Sequence, residues 1–221
     1  RMRDDLFQGI IHELRTPLAT ILMYSRLLRE GKARQPEKAE RFLGVIERES
    51  DRLQRMIRQM LDLAKLEARE MQHSPEPVWL NALFDESLPP LAERAVQKGL
   101  LFRQRIESDL PPVMGSVEAY AMTLRILLDN AIKFTPSGSV QITAWQKDDT
   151  VIVEITDDGI GIPPEAMNNL FKRFYRAQSA VERGIAGTGL GLYMVKENLR
   201  NYNGRIAVQS TLGQGTTFTL Q

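Results

Sequence analysis

Apolar residues between positions 2 and 71 recur at alternating spacings of four and three, which place them along one side of a helix. A first run at this spacing comprises Phe7, Ile11, Leu14, Leu18, Ile21, Ser25 and Leu28, all apolar except Ser25. A second run comprises Phe42, Ile46, Glu49, Leu53, Met56, Met60, Leu63 and Glu67, in which the two glutamates are the polar members. Because turn-forming residues at 31–36 separate the two runs, the pattern predicts two antiparallel helices.

Further apolar residues flank both runs and widen the stripe beyond what one helical hairpin can cover. These residues are Leu22, Leu27, Leu43, Ile57 and Leu61. Pairing two hairpins into a four-helix bundle would bury them, so we expect a homodimer. The alternative is a long hairpin packed on its own neighbouring domain.

The pattern changes at residues 74–77, where two prolines remove backbone donors and favour extended geometry. Helices are then predicted at 80–98, 117–134 and 190–202, and strands at 100–106, 140–145, 151–156, 205–210 and 216–220. The weakly patterned stretch between Gly161 and Gly187 is a candidate lid. The predicted organisation is an α-helical hairpin at 1–72, a linker at 73–78, and an α+β two-layer sandwich at 79–221.

Composition narrows the class of protein. The length of 221 residues suits two domains. The 29 lysines and arginines are balanced by 28 acidic residues, so the chain lacks the general excess of positive charge that is typical of nucleic-acid binding. Any phosphate binding must therefore be local. The lack of cysteine excludes disulfides and thiolate sites and fits a reducing compartment. No apolar run reaches the roughly eighteen residues of a membrane span, and the chain begins at Arg1. We expect a cytoplasmic fragment of a longer protein.

His12 is the candidate nucleophile of the first helix. It follows the core position Ile11 and therefore lies on the flank of the predicted bundle, within reach of a partner. Glu13 could hydrogen-bond one ring nitrogen and leave the other as a nucleophile, while Thr16 lies one turn on along the same face. Pro17 favours a bend beside the histidine. The alternative is a surface histidine beside a tolerated kink.

The second predicted helix of the sandwich ends in the motif DNAIKF at residues 129–134. Its opposite face is apolar, so Asn130 and Lys133 project together from the other side. An amide oxygen suits Mg²⁺ and an ammonium group suits phosphate. The end of this helix is therefore a candidate site for a metal and a phosphate group.

Two glycine clusters follow. The motif DDGIGIP at residues 157–163 places Asp157 at a strand end beside Gly159 and Gly161, where a buried carboxylate could accept a hydrogen bond from an adenine amine. The motif GTGLGL at 187–192 opens a helix whose free amides form an anion site. Each glycine cluster alone is weak evidence for a phosphate-binding site. The motifs at 129–134, 157–163 and 187–192, taken together in this order, are strong evidence.

Together these motifs resemble the dimerisation and catalytic core of sensor histidine kinases, the receptor half of two-component signalling pairs. The motif HELRTP at 12–17 resembles the family's phosphoacceptor motif, and residues 129–134 resemble its asparagine motif. Residues 157–161 and 187–192 are similar to the two glycine motifs, and LFKRFYR at 170–176 is similar to the phenylalanine motif of the lid. The resemblance covers nearly the whole chain.

The resemblance implies that ATP and Mg²⁺ bind the second domain, in the fold shared with the gyrase and Hsp90 class of ATPases. By this resemblance Asn130 holds the metal, and Lys133 and Arg176 bind the phosphates. Phe134 lines the adenine pocket, and Asp157 binds the adenine amine. The remaining nucleotide-binding residues are Gly159, Gly161, Gly187, Thr188, Gly189, Leu190 and Gly191.

The resemblance also implies the reaction and its partners. His12 would attack the γ-phosphate with Glu13 as general base, and the phosphoryl group would then pass to an aspartate of a response regulator receiver domain. Glu13 and Thr16 match family members that also remove that phosphate. In the full-length protein, the resemblance implies attachment to the cell membrane.

The chain departs from the family pattern four residues before Asn130, where Ile126 replaces an asparagine that lies near the metal and phosphates. Ser116 and Ala119 stand where members often carry an aspartate and an arginine. The alternative is therefore a weak or degenerate kinase that acts as a dimeric signalling scaffold. A stand-alone ATP hydrolase is disfavoured, because those relatives carry a glutamate base at the position of Ile126.

Overall fold

The computed structural model describes the backbone of residues 2–67, 74–185 and 187–221, and the side chains of residues 14–64, 74–185 and 187–221. The chain separates into two compact units, Arg1–Ala64 and Lys65–Gln221. The domain boundaries expected from the sequence, at 72 and 79, stay a prediction.

The first unit consists of two long helices, α1 (Met2–Arg29) and α2 (Pro36–Glu67). Helix α1 runs without interruption through Pro17. It ends because Gly31 adopts a φ of +66°, and the amides of Gly31 and Lys32 bond back to the carbonyls of Leu28 and Leu27 at 3.0 Å each. The rings of Tyr24 in α1 and Phe42 in α2 pack edge to face at 5.0 Å.

The helices of this unit leave a broad apolar surface exposed in a single copy of the chain. Met56 and Leu63 are buried, each at 2% exposure. Among residues 14–64, the exposed large apolar residues are Leu18, Leu22, Met23, Leu43, Ile57 and Leu61. Four of the five residues that the sequence predicts to widen the stripe thus remain uncovered in one chain, and the fifth, Leu27, is half-buried.

The second unit contains, in chain order, β1 (Glu76–Val78), α3 (Leu80–Gln97), β2 (Leu101–Ile106), β3 (Val113–Gly115), α4 (Val117–Phe134), β4 (Ser139–Lys147), β5 (Thr150–Asp157), α5 (Pro164–Met167), α6 (Gln178–Glu182), α7 (Gly191–Asn201), β6 (Ile206–Thr211) and β7 (Gly215–Leu220). A five-stranded sheet has the order β2-β4-β5-β7-β6. Strand β2 pairs parallel to β4, and the other neighbours are antiparallel.

Helices α3, α4 and α7 cover one face of this sheet, and the core lies between the two layers. Strands β4 and β5 alternate inward and outward residues, with Val140, Ile142 and Ile155 fully buried. Leu127 and Leu128 of α4 face them, also fully buried. The predicted helical region followed by an α+β two-layer sandwich is confirmed.

Short elements escaped the sequence pattern. Residues 76–78 of the predicted linker form β1, which pairs antiparallel with β3 just before α4. The candidate lid contains the two short helices α5 and α6. Elements of three to five residues are too short to show a hydrophobic period, and β1 and β3 form by pairing with each other.

Candidate functional site

The C-terminal turn of α4 carries the predicted residues Asn130, Lys133 and Phe134, all half-buried. The Lys133 ammonium lies 4.6 Å from the centroid of the Phe134 ring. Burial, and after it the positive charge of Arg176, lower the pKa of Lys133 to about 8, against an opposing effect of Asp129. A half-buried cation beside a second cation is an arrangement that a bound polyanion would stabilise.

Asp157 stands at the end of β5 and is 6% exposed. Its Oδ1 accepts a 2.8 Å hydrogen bond from the backbone N–H of Gly159. Burial raises the pKa of this carboxyl to about 6, although backbone hydrogen bonds from Gly159 and Thr216 act in the opposite direction. The site therefore holds a carboxyl group that is a hydrogen-bond acceptor at neutral pH and takes up a proton near pH 6.

The first glycine loop connects these two places. The backbone N–H of Ile160 donates to the carbonyl of Phe134 at 3.1 Å, so the loop after β5 is tied to the end of α4. A Cβ atom at Gly159 would lie 2.5 Å from Asp157 Oδ1 and 2.7 Å from the Phe134 carbonyl oxygen. Gly161 has a φ of +67°, and a Cβ there would lie 2.1 Å from the Thr211 carbonyl oxygen. Only glycine fits this loop at both positions.

The second glycine loop reaches the same place from α7. A Cβ at Gly187 would lie 3.0 Å from the Lys133 ammonium, and one at Gly191 would lie 3.0 Å from Cγ2 of Ile126. Thr188 and Leu190 are buried, and the Thr188 hydroxyl accepts a 3.3 Å hydrogen bond from the Leu190 N–H. Gly189 has a φ of +71°. Leu190 gives α7 no side-chain cap, which leaves the first amides of the helix open to an anion.

Arg176 lies in the lid, where its guanidinium donates a 2.7 Å hydrogen bond to the carbonyl of Ile185. Arg173 of the same segment stacks on the Tyr193 ring of α7 at 4.4 Å and donates to the Tyr193 hydroxyl. The structure thus brings the lid, α7, the end of α4 and the end of β5 together around one site.

Sequence reasoning missed Thr216 and Ser210 at this site. Thr216 is 7% exposed, its backbone N–H acts to lower the pKa of the Asp157 carboxyl, and its hydroxyl lies 2.9 Å from that of Ser210. The Ser210 hydroxyl accepts a 2.8 Å hydrogen bond from the N–H of Ile162. The sequence predicts Thr216 only as one position of a strand, because its pairing with Asp157 across β5 and β7 depends on the sheet register.

The structure describes only some of the residues in the predicted phosphoacceptor motif. The side chains of His12 and Glu13 lie outside the described residues, although the backbone of α1 is helical at both positions. Thr16 is exposed and Pro17 is buried. Within the described ranges, no group of three or more histidine, cysteine or acidic residues is placed to hold a metal ion. Among the helices of those ranges, none combines the length and apolar character of a membrane span.

Two family models match the chain. The His Kinase A (phospho-acceptor) domain matches residues 2–69, and the histidine kinase-, DNA gyrase B- and HSP90-like ATPase matches residues 116–221. The sensor protein SrrB of Staphylococcus aureus (strain N315) is 31% identical over 227 residues, which cover 100% of this chain and 38% of SrrB. The chain thus spans well under half the length of this relative.

Solved structures agree with the family models. Full-length ShkA in complex with AMPPNP has a TM-score of 0.69 and 30% identity, covering 95% of this chain and 43% of ShkA. The Acinetobacter baumannii histidine kinase AdeS has a TM-score of 0.72 at 24% identity, covering 95% of each chain. The second likeness is one of fold.

Proposed function

Because the chain belongs to the sensor histidine kinases, we propose that it phosphorylates its own His12 with ATP and passes the phosphoryl group to an aspartate of a response regulator. In the first step a bond forms between an imidazole nitrogen of His12 and the γ-phosphorus. The bond from that phosphorus to the β–γ bridging oxygen breaks, and ADP leaves with the electron pair. Glu13 takes the imidazole proton.

The observation that carries this proposal is that four features able to bind parts of a nucleotide lie around one site in the second unit. They are the Lys133 ammonium, the Arg176 guanidinium, the uncapped start of α7 and the buried Asp157 carboxyl. We propose that the first three bind the phosphates of ATP and that Asp157 accepts a hydrogen bond from the adenine amine. The AMPPNP complex of the similar ShkA supports a nucleotide at this site.

The glycines and the aromatic side chain complete the proposed nucleotide site. Gly159, Gly161, Gly187, Gly189 and Gly191 lie where a Cβ atom would meet a neighbouring group of the protein, so both loops pack closely at positions that have no room for a side chain. Thr188 and Leu190 hold the second loop, and Phe134 contributes a wall of the adenine pocket. Mg²⁺ would be held by the Asn130 amide oxygen together with phosphate oxygens, as suits a site with few protein ligands.

We propose that the protein acts as a homodimer. The exposed apolar residues of α1 and α2 support this, because a second copy of the hairpin would bury them in a four-helix bundle. The other proposed partner is the receiver domain of a response regulator. In the full-length protein we place this core on the cytoplasmic side of a membrane anchor.

Labelling with Mg-ATP tests the central step. The unaltered protein should acquire phosphate that is stable in alkali and labile in acid, and His12→Gln should abolish it while nucleotide binding survives. The chain has two histidines, so His73→Gln is the matched control and should label normally. Labelling that persists in His12→Gln would overturn the assignment of the nucleophile.

Removal of phosphate from the regulator is a proposed second activity. It rests on Thr16, which is exposed on α1 one turn beyond His12 and could orient a water molecule. Thr16→Ala should slow dephosphorylation of the phosphorylated regulator and leave labelling intact. An unchanged dephosphorylation rate would exclude Thr16 from this step.

The alternative function is a degenerate kinase that works as a dimeric scaffold, and it rests on Ile126. This side chain is half-buried against the core, with its Cγ2 close to the backbone of Gly191 in the first turn of α7. If its apolar character limits the reaction, Ile126→Asn should tighten Mg-ATP binding or speed labelling, whereas Ile126→Val should not. Equal binding and rate in all three proteins would show that this position is irrelevant.

A further inference from the structure

The last four carbonyls of a helix have no partner within the helix, and in α4 these belong to the turn that carries Asn130 and Lys133. All four are bonded from outside the helix. The Thr135 hydroxyl donates to the Ala131 carbonyl at 2.7 Å, and the Ile160 N–H donates to that of Phe134 at 3.1 Å. The remaining two, of Ile132 and Lys133, accept hydrogen bonds from the single ammonium of Lys98, at 2.6 and 2.9 Å.

The backbone of Lys98 is firmly placed, because this residue is the C-cap of α3, whereas its side chain is exposed. Gly99 follows with a φ of +82°, and its N–H bonds to the carbonyl of Val96 at 2.8 Å. The N–H of Leu100 bonds to the carbonyl of Ala95 at 2.9 Å, and both of these residues are buried. This pair of bonds is a Schellman motif, which anchors the backbone of Lys98 to the core.

The other two caps cannot play the same part. Thr135 is the residue next to the helix and moves with it, and Ile160 belongs to the glycine loop that approaches the ligand. Lys98 comes from α3, which carries none of the candidate site residues, so it ties the last turn of α4 to a separate part of the core. A cation at this position also complements the negative end of the helix dipole.

We propose that Lys98 is a positioning residue for phosphate binding: through the carbonyls of Ile132 and Lys133 it holds the turn that presents Asn130 and Lys133. The inference rests on the proposed nucleotide site. Its effect should be larger at the phosphate end of the ligand than at the adenine end, because Gly159 holds the Asp157 carboxyl and Ile160 separately holds the carbonyl of Phe134.

The test compares binding of AMPPNP with Mg²⁺ and binding of adenosine, measured by calorimetry and by NMR titration well below the unfolding temperature. Lys98→Met removes the donors but keeps a chain of similar length, Lys98→Arg restores charge and donors, and Lys147→Met is the matched control on an exposed lysine at the end of β4. Lys98→Met should weaken AMPPNP binding about fivefold, which corresponds to about 1 kcal/mol. Adenosine binding should change by less than about twofold.

Recovery of AMPPNP affinity in Lys98→Arg, with normal affinity in Lys147→Met, would support the positioning role. Equal weakening of both ligands would mean a general loosening of the domain, and unchanged affinity would mean no role; either result overturns the proposal. If the unaltered protein binds neither ligand, the proposed function fails and takes this inference with it, whereas binding that is insensitive to Lys98→Met defeats this inference alone.

Discussion

The backbone N–H of Gly159 donates a 2.8 Å hydrogen bond to Oδ1 of Asp157. This bond closes the turn at the end of β5 and holds the carboxyl in a position where it is only 6% exposed. The same turn carries the Ile160 amide that bonds to the end of α4. One short turn thus orients the proposed adenine acceptor and connects it to the helix that carries the proposed phosphate ligands.

The raised pKa of Asp157 predicts a pH dependence of stability. The folded protein keeps the proton of this carboxyl up to about pH 6, whereas the ordinary value is 3.8. Between these values the folded state binds more protons than the unfolded state, so the free energy of unfolding should fall as pH rises, by about 3 kcal/mol over the whole window. Urea unfolding at a series of pH values measures this slope.

Asp157→Asn is the control for that slope, because an amide does not titrate. The variant should lose this fall in stability between about pH 4 and pH 6 and should bind nucleotide weakly. A slope that is the same in both proteins would show that another group causes it.

The lowered pKa of Lys133 predicts that nucleotide binding takes up a proton. Near pH 9 an amine whose pKa is about 8 is mostly neutral, and the phosphates of a bound nucleotide should restore its charge. Calorimetry in buffers of different ionisation enthalpy should therefore show uptake of up to about one proton per nucleotide at about pH 9 and little at about pH 6.5. Lys133→Met should abolish the uptake and Lys147→Met should keep it; uptake that survives in Lys133→Met would place the titrating group elsewhere.

The glycine loops predict a difference between two residues with similar backbone angles. Gly161 and Gly213 have φ values of +67° and +80°, but a Cβ at Gly161 would lie 2.1 Å from the Thr211 carbonyl oxygen, whereas one at Gly213 meets nothing within 4 Å. Gly213→Ala should cost about 1 kcal/mol through its backbone angle alone. Gly161→Ala should cost more than about 3 kcal/mol, because the backbone must also move.

Urea unfolding of the two variants at one pH gives both numbers. Nucleotide binding should be lost in Gly161→Ala and kept in Gly213→Ala. Equal destabilisation of the two would mean that the loop around Gly161 relaxes without strain.

The long elements were predictable because each repeats a local pattern many times. The apolar period of residues 117–134 matches α4 (Val117–Phe134), and the alternation at 140–145 falls within β4 (Ser139–Lys147). Side chains at these spacings share one face of a helix or a strand whatever surrounds them. The exposed apolar positions of α1 and α2 were also visible in the sequence, since they follow from the width of the stripe.

The contacts that shape the candidate site were not predictable in this way. Thr216 meets Asp157 only because β7 pairs with β5 in one register, and Lys98 meets Ile132 only because α3 packs beside α4. These partners are 59 and 34 positions apart in the chain, and no local period connects them. Their positions depend on how the layers pack.

The sequence by itself therefore determined the long helices and strands, the order of the motifs and the residue types that can bind a nucleotide. Only the tertiary structure decided how the ends of α4, β5 and α7 meet, which shifts the pKa of Lys133 and of Asp157 through burial and neighbouring charge. The physical reason is the separation along the chain over which each kind of interaction acts. Local preference acts over one or two helical turns, whereas desolvation, close packing and charge interaction depend on atoms that folding brings together from distant parts of the chain.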